Sequence, residues 1–208
     1  MTIVMFELDD DRNYNCQDLR FGISDMRVSK EKAADNRERI LTAASRLIRE
    51  RGISGVSVDA LTEAAGMTHG GLYSQFGSKE RLIEEAVVEA IVSKGRELRE
   101  TTTVGDYVSE YLSVAHRDEP GSGCPFAALC SEMHRQSQGA RERFTAGVRG
   151  MIGWLSARMG AGAGQRKRDG DAIVTLASLV GAVVLARAVS DSKLSDEILR
   201  ATRKRLAG

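Results

Sequence analysis

The sequence predicts an all-α protein, with a small N-terminal helix-turn-helix domain, a larger C-terminal helical domain and about nine helices in total. The chain of 208 residues contains only two prolines and few aromatic residues. Its long segments rich in Ala, Leu, Glu and Arg repeat apolar side chains at helical spacing. No segment alternates apolar and polar residues between turn signals, as a strand would.

Composition alone excludes few classes of function. Hydrophobic residues make up 42% of the chain, which is enough to fill a core, and the formal net charge is only +1. Bulk charge therefore does not indicate a nucleic-acid partner, and any such function has to be argued from a motif. Three cysteines form no paired framework, so we expect a reducing, cytoplasmic location.

Residues 57–78 contain two short helices and a tight turn. Ser57 is a good N-cap for the first helix, and Gly66 can end it in the left-handed conformation. Thr68 can then cap a second helix from about His69 to Phe76. The three to four residues between the helices are typical of a helix-turn-helix motif.

The second helix has an unusual outer side. Leu72 and Phe76 lie four residues apart and face inward, which leaves His69, Gly70, Tyr73 and Ser74 on or near the outer side. Adjacent glycines in a helix cost about 1 kcal/mol each relative to alanine. Such a cost is understandable if a large partner approaches the backbone closely.

Residues 65–82, with the sequence Ala-Gly-Met-Thr-His-Gly-Gly-Leu-Tyr-Ser-Gln-Phe-Gly-Ser-Lys-Glu-Arg-Leu, resemble the DNA-binding signature of the TetR family of bacterial transcription regulators. The match extends from about Asp35 to Ala90. The resemblance implies an all-helical homodimer that binds a near-palindromic operator and releases it when a small ligand occupies the C-terminal domain.

Within this motif we predict two kinds of DNA contact. Tyr73 and Lys79 are expected to bind phosphates, Thr68 and His69 to meet base edges, and the glycines to allow close approach. The full set of predicted DNA-binding residues is Ser57, Thr68, His69, Gly70, Gly71, Tyr73, Ser74 and Lys79.

Domain boundaries follow from the remaining patterns. Residues 1–34 show no helical period and are predicted to be a flexible extension. A first helix is expected from Asp35, which has capping-box spacing to Glu38, to Arg51. The DNA-binding domain spans residues 35–82, a connecting helix continues to about residue 100, and residues 103–208 form the second domain.

The C-terminal domain is predicted to consist of helices separated by loops. They are one helix over about 104–115 with a cap at Thr103, one from Pro125 that Gly139 ends, one over about 144–159, one over 172–189 and a last one over about 194–206. The basic residues 166–168 are expected in a solvated loop.

The family resemblance implies a ligand cavity between these helices, for a small and mostly apolar effector. The candidate ligand-binding residues are Tyr107, Tyr111, Phe126, Cys130, Met133, His134, Phe144, Met151 and Trp154. Each of these side chains could equally be plain core, and His116 and His134 could be polar anchors or surface residues.

Residues 172–189 form the most apolar segment. Its polar interruptions and flanking charges argue against a membrane span, so we expect a helix buried on two sides, by its own core and by a partner subunit. The alternative is a helix buried within a monomer. The predicted dimerisation residues are Ala177, Ser178, Gly181, Ala182, Val184, Leu185, Ile198 and Thr202.

The cysteines allow a second kind of signal for release of the operator. Cys124 precedes a helix start, where the dipole would lower its thiol pKa, whereas Cys130 is expected to be buried, so a redox or electrophile-sensing repressor stays open. Their spacing does not suit a metal site, and no metal or cofactor is expected. A small helical enzyme is a distant alternative, because no nucleophile and base occur in a recognisable set.

Overall fold

The computed structural model describes residues 16–98, 103–159 and 164–207, and the side chains of residues 32–98, 103–159 and 164–206. This part of the chain contains ten helices and no strand, which confirms the all-α prediction. The helices are α1 (Cys16–Arg51), α2 (Val58–Ala65), α3 (His69–Phe76), α4 (Lys79–Glu97), α5 (Val104–Tyr111), α6 (Val114–Asp118), α7 (Pro125–Met133), α8 (Gln138–Arg158), α9 (Gln165–Ala188) and α10 (Ser192–Ala207). Met1–Glu38 form one compact unit and Arg39–Gly208 another, and all contacts below lie within the second.

Helix α1 begins much earlier than predicted. It starts at Cys16, so Asp35 lies inside a continuous helix and does not cap its beginning. The sequence before residue 35 contains no proline and places Leu19, Ile23 and Met26 at helical spacing, a short pattern that the prediction overlooked. The predicted flexible extension is thus helical from Cys16 onward, and residues 1–15 lie outside the described part.

The helix-turn-helix forms as predicted, because its ends are fixed by local hydrogen bonds. The Ser57 hydroxyl accepts from the Ala60 amide at 3.1 Å, and the Thr68 hydroxyl accepts from the Gly71 amide at 3.2 Å. Gly66, with φ of 63°, ends α2 in the left-handed conformation. The motif packs on α1 and α4 through one apolar cluster that includes Ile40, Ile48, Leu61, Leu72, Phe76, Leu82 and Val87.

The single helix predicted over 104–115 is two helices. The Thr103 hydroxyl accepts from the Asp106 amide at 3.0 Å, so the predicted cap of α5 is present. The break follows Leu112, because the Ser113 hydroxyl accepts from the His116 amide at 3.1 Å and caps the new helix α6. This break accounts for one more helix than the sequence predicted.

Two further boundaries differ from the prediction. Helix α7 ends at Met133, and Gly139 lies in the first turn of α8, because Ser137 caps that helix through the Ala140 amide at 3.2 Å. Helix α9 begins at Gln165, so residues 166–168 are helical. Its first turn is held because Asp169 accepts hydrogen bonds from Gln165 at 2.7 Å and from Ser156 of α8 at 2.6 Å.

Helix α9 is long and apolar enough to cross a membrane by length and composition alone, and it is the one helix of this kind among the described residues. One such helix is weak support for a span, since core helices of water-soluble domains pass the same test. In this structure α9 packs against α6, α7, α8 and α10, and buries Leu176, Leu179 and Val183 among them. The apolar character of its inner side is explained by this central position in the C-terminal half.

Candidate nucleic-acid interface and ligand cavity

Helix α3 presents a polar outer side and an apolar inner side. Leu72 and Phe76 are 0% and 2% exposed and anchor the helix in the core of the N-terminal half. The side chains that remain outside form a surface that we call the reading face. It consists of Thr68, His69, Gly70, Tyr73 and Ser74, all of which are exposed.

The other predicted DNA contacts border this surface. Ser57 is exposed at the start of α2, while Gly71 and Lys79 are half-buried. Lys79 is the first residue of α4, next to Ser78, whose hydroxyl accepts from the Arg81 amide at 3.2 Å. A lysine at a helix start combines a positive charge with free backbone amides, which suits a phosphate group.

The two glycines of α3 differ in their surroundings. A Cβ atom at Gly70 would meet nothing within 4 Å, so no contact inside the protein demands glycine there. At Gly71 a Cβ atom would lie 3.4 Å from Met67 and Thr68, which is an ordinary van der Waals contact, so packing at most weakly favours glycine there. The helix-propensity cost at Gly70, where nothing is near, is therefore the clearer indication of an external partner approaching the backbone.

The sequence did not predict a contact between the two helices of the motif on this side. Nε2 of His69 lies 2.6 Å from Oδ1 of Asp59, in the first turn of α2, and both side chains are more than half exposed. Its position in the sequence indicates for Asp59 only a favourable charge at a helix start. Nothing in the spacing of the two residues signals the pair, because the turn between the helices sets their separation.

Comparison with known proteins agrees with this geometry. A family model described as bacterial regulatory proteins, tetR family, matches residues 40–86, which run from the end of α1 through the motif into α4. Residues 40–86 thus match the DNA-binding segment of TetR-family regulators. The matched segment holds Ser57, the reading face and Lys79, and the C-terminal half lies outside it.

The curated proteins that this chain resembles are transcription regulators by name. The repressor BdcR of Escherichia coli is 29% identical over 110 residues, covering 50% of this chain and 56% of BdcR. The regulator LmrA of Bacillus subtilis is 32% identical over 117 residues, covering 52% of this chain and 62% of LmrA. Matches to the curated relatives named here thus leave more than a third of each relative uncovered.

A solved structure extends the similarity to the whole fold. The reduced form of NemR from E. coli superposes with a TM-score of 0.69 over 83% of this chain and 95% of NemR, at 23% identity. At that identity the likeness shows the fold of this protein and no more.

The C-terminal half contains a cavity of about 580 Å³, bounded by α4, α5, α6, α7 and α8. Five of the predicted ligand-binding residues line it, namely Tyr107, Tyr111, Phe126, Met151 and Trp154. The prediction missed the contribution of α4, from which Ile91, Lys94 and Leu98 reach the cavity. Gly147 of α8 allows this, because a Cβ atom there would lie 2.8 Å from Ile91.

The other predicted ligand-binding residues do not line the cavity. Met133 is buried in the core of the N-terminal half, and Phe144 packs edge-to-face on Phe126 with ring centroids 5.3 Å apart. Cys130 and His134 are exposed on the outer side of α7 and just after its end. The inner side of α7 packs into the N-terminal core through Leu129 and Met133. Cys130 and His134 therefore lie away from the cavity.

His116 is a structural anchor in the cavity wall. Its Nδ1 lies 2.6 Å from the Tyr111 carbonyl oxygen, and its Nε2 accepts from the Cys124 amide at 2.9 Å. The imidazole is therefore neutral, with its proton on Nδ1. Burial lowers its pKa, against the opposing effect of the hydrogen bond to Tyr111.

Two buried polar groups at the cavity have no nitrogen or oxygen partner. They are the indole N–H of Trp154 and the hydroxyl of Tyr111, which has the weakly accepting thiol of Cys124 beside it. Burial raises the pKa of Tyr111 well above its ordinary value, so the hydroxyl stays protonated and can donate. A ligand that carries a hydrogen-bond acceptor would satisfy a group that is costly to leave unpaired.

The surroundings of both cysteines differ from the prediction. Cys124 is buried, and burial raises its thiol pKa more strongly than Tyr111 and the nearby backbone amides lower it. Cys130, predicted to be buried, is exposed. In the described ranges no group of three or more His, Cys, Asp or Glu side chains could hold a metal ion.

Helix α7 connects the cavity wall directly to the DNA-binding half. The Glu132 carboxylate accepts from the backbone amides of Ile53 and Ser54, both at 2.9 Å, in the loop between α1 and α2. At the other end of α7, Arg49 donates to the carbonyl oxygen of Gly123 at 3.0 Å, one residue before Cys124. The wall of the cavity and the helix-turn-helix are thus joined by α7 as well as by α4.

The outer side of α9 leaves apolar residues uncovered. Ile173, Val174 and Leu185 are 52%, 61% and 56% exposed, and Val184 is also exposed. Of the predicted dimerisation residues, Ala177 is exposed, whereas Ser178, Gly181, Ile198 and Thr202 are half-buried. The placement of Ala182 differs from the prediction. It is 5% exposed and packs into the protomer's own core, because it lies on the inner side of α9.

Proposed function

We propose that this protein is a cytoplasmic, sequence-specific DNA-binding regulator that acts as a repressor and is released from its operator by a small, mostly apolar ligand. The observation that carries the proposal is the reading face, an exposed polar surface on a glycine-containing helix within a TetR-family helix-turn-helix. The names of the relatives support a function as a regulator and not as an enzyme.

The DNA is expected to be a near-palindromic duplex bound by a homodimer. In a symmetric dimer the two reading helices lie in successive major grooves, about 34–36 Å apart or somewhat more. Tyr73 and Lys79 supply phosphate contacts and therefore affinity, whereas Thr68 and His69 supply base choice.

The test of DNA binding is footprinting on the region next to the protein's own gene, followed by titration of operator variants. Lys79→Ala and Tyr73→Phe should weaken binding to all sequences, and Lys79→Ala should reduce the salt slope by about one. His69→Ala should instead change the ranking of operator variants. A protein that protects no symmetric site would contradict the proposal.

The ligand is expected in the cavity of about 580 Å³, a size suited to a drug-sized molecule. Gly150 of α8 lines this cavity and faces open space, so a larger side chain there would occupy ligand volume without a clash at Cβ. Gly153, one turn further on the same helix, also has free space but does not line the cavity.

Gly150→Leu should therefore lower the binding of the fluorescent apolar probe 1-anilinonaphthalene-8-sulfonate by about tenfold, while DNA binding is retained. Gly153→Leu is the matched control and should bind the probe like the wild type. Compounds that displace the probe from the wild type are then tested for release of the operator. Equal probe binding by the two variants would place the ligand site elsewhere.

A further inference from the structure

The pair formed by Asp59 and His69 has a consequence for base choice. We propose that Asp59 is a specificity-determining residue: by accepting the Nε2 proton of His69, it presents Nδ1 to DNA as a hydrogen-bond acceptor. The proposal rests on the proposed function, since it assumes that α3 enters the major groove. It assigns a positioning role to a residue outside the predicted set of DNA contacts.

The tautomer follows from the chemistry of the two groups. A carboxylate has only acceptor atoms, so the 2.6 Å contact between Oδ1 of Asp59 and Nε2 of His69 requires a proton on Nε2. A neutral imidazole carries one proton, and Nδ1 then has a free lone pair. His69 is exposed on the reading face, where this lone pair is accessible to a partner.

An acceptor and a donor select different bases. In the major groove, cytosine offers its N4 amino group and adenine its N6 amino group, whereas guanine offers only the acceptors N7 and O6. With Asp59 holding the Nε2–H tautomer, His69 favours a base with an amino group. Without Asp59 both tautomers are accessible, and His69 can also donate to guanine.

Neither affinity for DNA nor the contribution of the ion pair to folding explains the position of Asp59 well. An exposed ion pair contributes little to folding, and a carboxylate near phosphates opposes binding. Asp59 also lies in the first turn of α2, where a negative charge favours the helix dipole. That purely structural role predicts a different result from the positioning role, and one experiment separates them.

The experiment is the selection of bound 20-base-pair duplexes from a random library at pH 8. The proteins compared are the wild type, Asp59→Ala, Asp59→Asn, His69→Ala and the Asp59→Ala/His69→Ala double variant. Glu63→Ala is the matched control, because Glu63 is an exposed acidic residue of α2 without a contact to His69. Melting temperatures of all variants report folding.

The wild type should enrich cytosine or adenine at one position of each half-site by roughly three- to tenfold, the effect of one hydrogen bond. Asp59→Ala should lose most of this enrichment, and Asp59→Asn, whose amide can either accept from or donate to His69, should lose part of it, while total DNA affinity stays equal or rises in both. The double variant should match His69→Ala, and Glu63→Ala should keep the wild-type preference.

Unchanged base preference in the Asp59 variants, or an equal loss of affinity for every sequence, would overturn the role of Asp59 while leaving the regulator function intact. A wild type that enriches no sequence at all would overturn both the proposed function and the inference. Because both substitutions at Asp59 are included, a folding defect of one variant does not remove the test.

Discussion

His116 shows how a single buried side chain can fix the wall of the ligand cavity. Both of its ring nitrogens are used, one by the Tyr111 carbonyl and one by the Cys124 amide, so it joins α5 to the start of α7. Burial lowers the pKa of His116 below the ordinary value of 6.5. The folded protein therefore binds the additional proton less readily than the unfolded chain.

The stability of the wild type should consequently fall as the pH decreases from 6.5 toward 5. The sign follows from the lowered pKa: the stabilisation is fully present above the unfolded pKa and is lost as the pH falls through the folded pKa. His116→Gln should be less stable at pH 7 by about 1–3 kcal/mol, because it disturbs two buried hydrogen bonds.

His116→Gln should also show a flatter pH dependence in this window, measured by urea unfolding at several pH values. His134→Gln is the control, since His134 is exposed. A variant at His116 whose stability follows the wild type in parallel from pH 7 to pH 5 would show that this imidazole is not the group responsible.

At the scale of elements, α7 joins the cavity directly to the helix-turn-helix. Its first residues, Pro125 and Phe126, line the cavity, whereas Leu129 and Met133 belong to the apolar core of the N-terminal half. Glu132 adds a charged clamp on the loop before α2. A displacement of α7 by a ligand would therefore act on the helix-turn-helix without passing through α4.

Glu132→Ala should reduce the free energy of unfolding by about 1–3 kcal/mol at pH 7, because two backbone amides lose a charged acceptor. Partial burial works to raise the pKa of Glu132, but hydrogen bonds from Ser54 and Ile53 lower it below the ordinary 4.5. The stabilisation is present above that value and is lost as the pH falls through the folded pKa.

The difference between wild type and Glu132→Ala should hence shrink in acid, as measured by chemical denaturation at pH 7 and pH 3.5. Hydrogen exchange of the Ile53 and Ser54 amides should be faster in the variant. Glu142→Ala is the control, because Glu142 makes only an exposed contact to Gln138 within α8. Unchanged amide exchange in Glu132→Ala would rule out the clamp.

At the scale of the whole molecule, the uncovered side of α9 suits a second copy of the chain. Its exposed apolar residues recur along one side of the helix from Ile173 to Leu185, and Gly181 lies between them with free space at its Cβ position. Helices can approach closely where small residues lie between larger apolar ones. The exposed apolar surface is of the kind that marks an interface.

Leu185→Lys should convert the protein to a monomer at micromolar concentration, because it places a charge in an apolar interface. Sedimentation velocity measures the change, and operator affinity should fall with it, since one reading head alone covers half a palindrome. Val92→Lys is the control, as Val92 is a similarly exposed apolar residue on α4. A dimeric Leu185→Lys protein would locate the interface elsewhere.

The sequence by itself determined the helical class, the helix-turn-helix motif and most helix ends. The caps at Ser57, Thr68 and Thr103 were all readable, because each joins groups three residues apart. Interactions over such short distances depend on the local sequence alone. The same reasoning failed for the beginning of α1 and for the break at Ser113, because the sequence patterns that mark a helix end are weaker there.

Only the tertiary structure decided which side chains meet across the fold. Glu132 contacts Ile53, 79 residues away, and the lining of the cavity combines α4 with helices that follow it. Periodicity identifies that a residue such as Ala182 or Met133 is buried, but not which neighbour buries it. That choice depends on how the helices are placed against one another, and no local pattern records it.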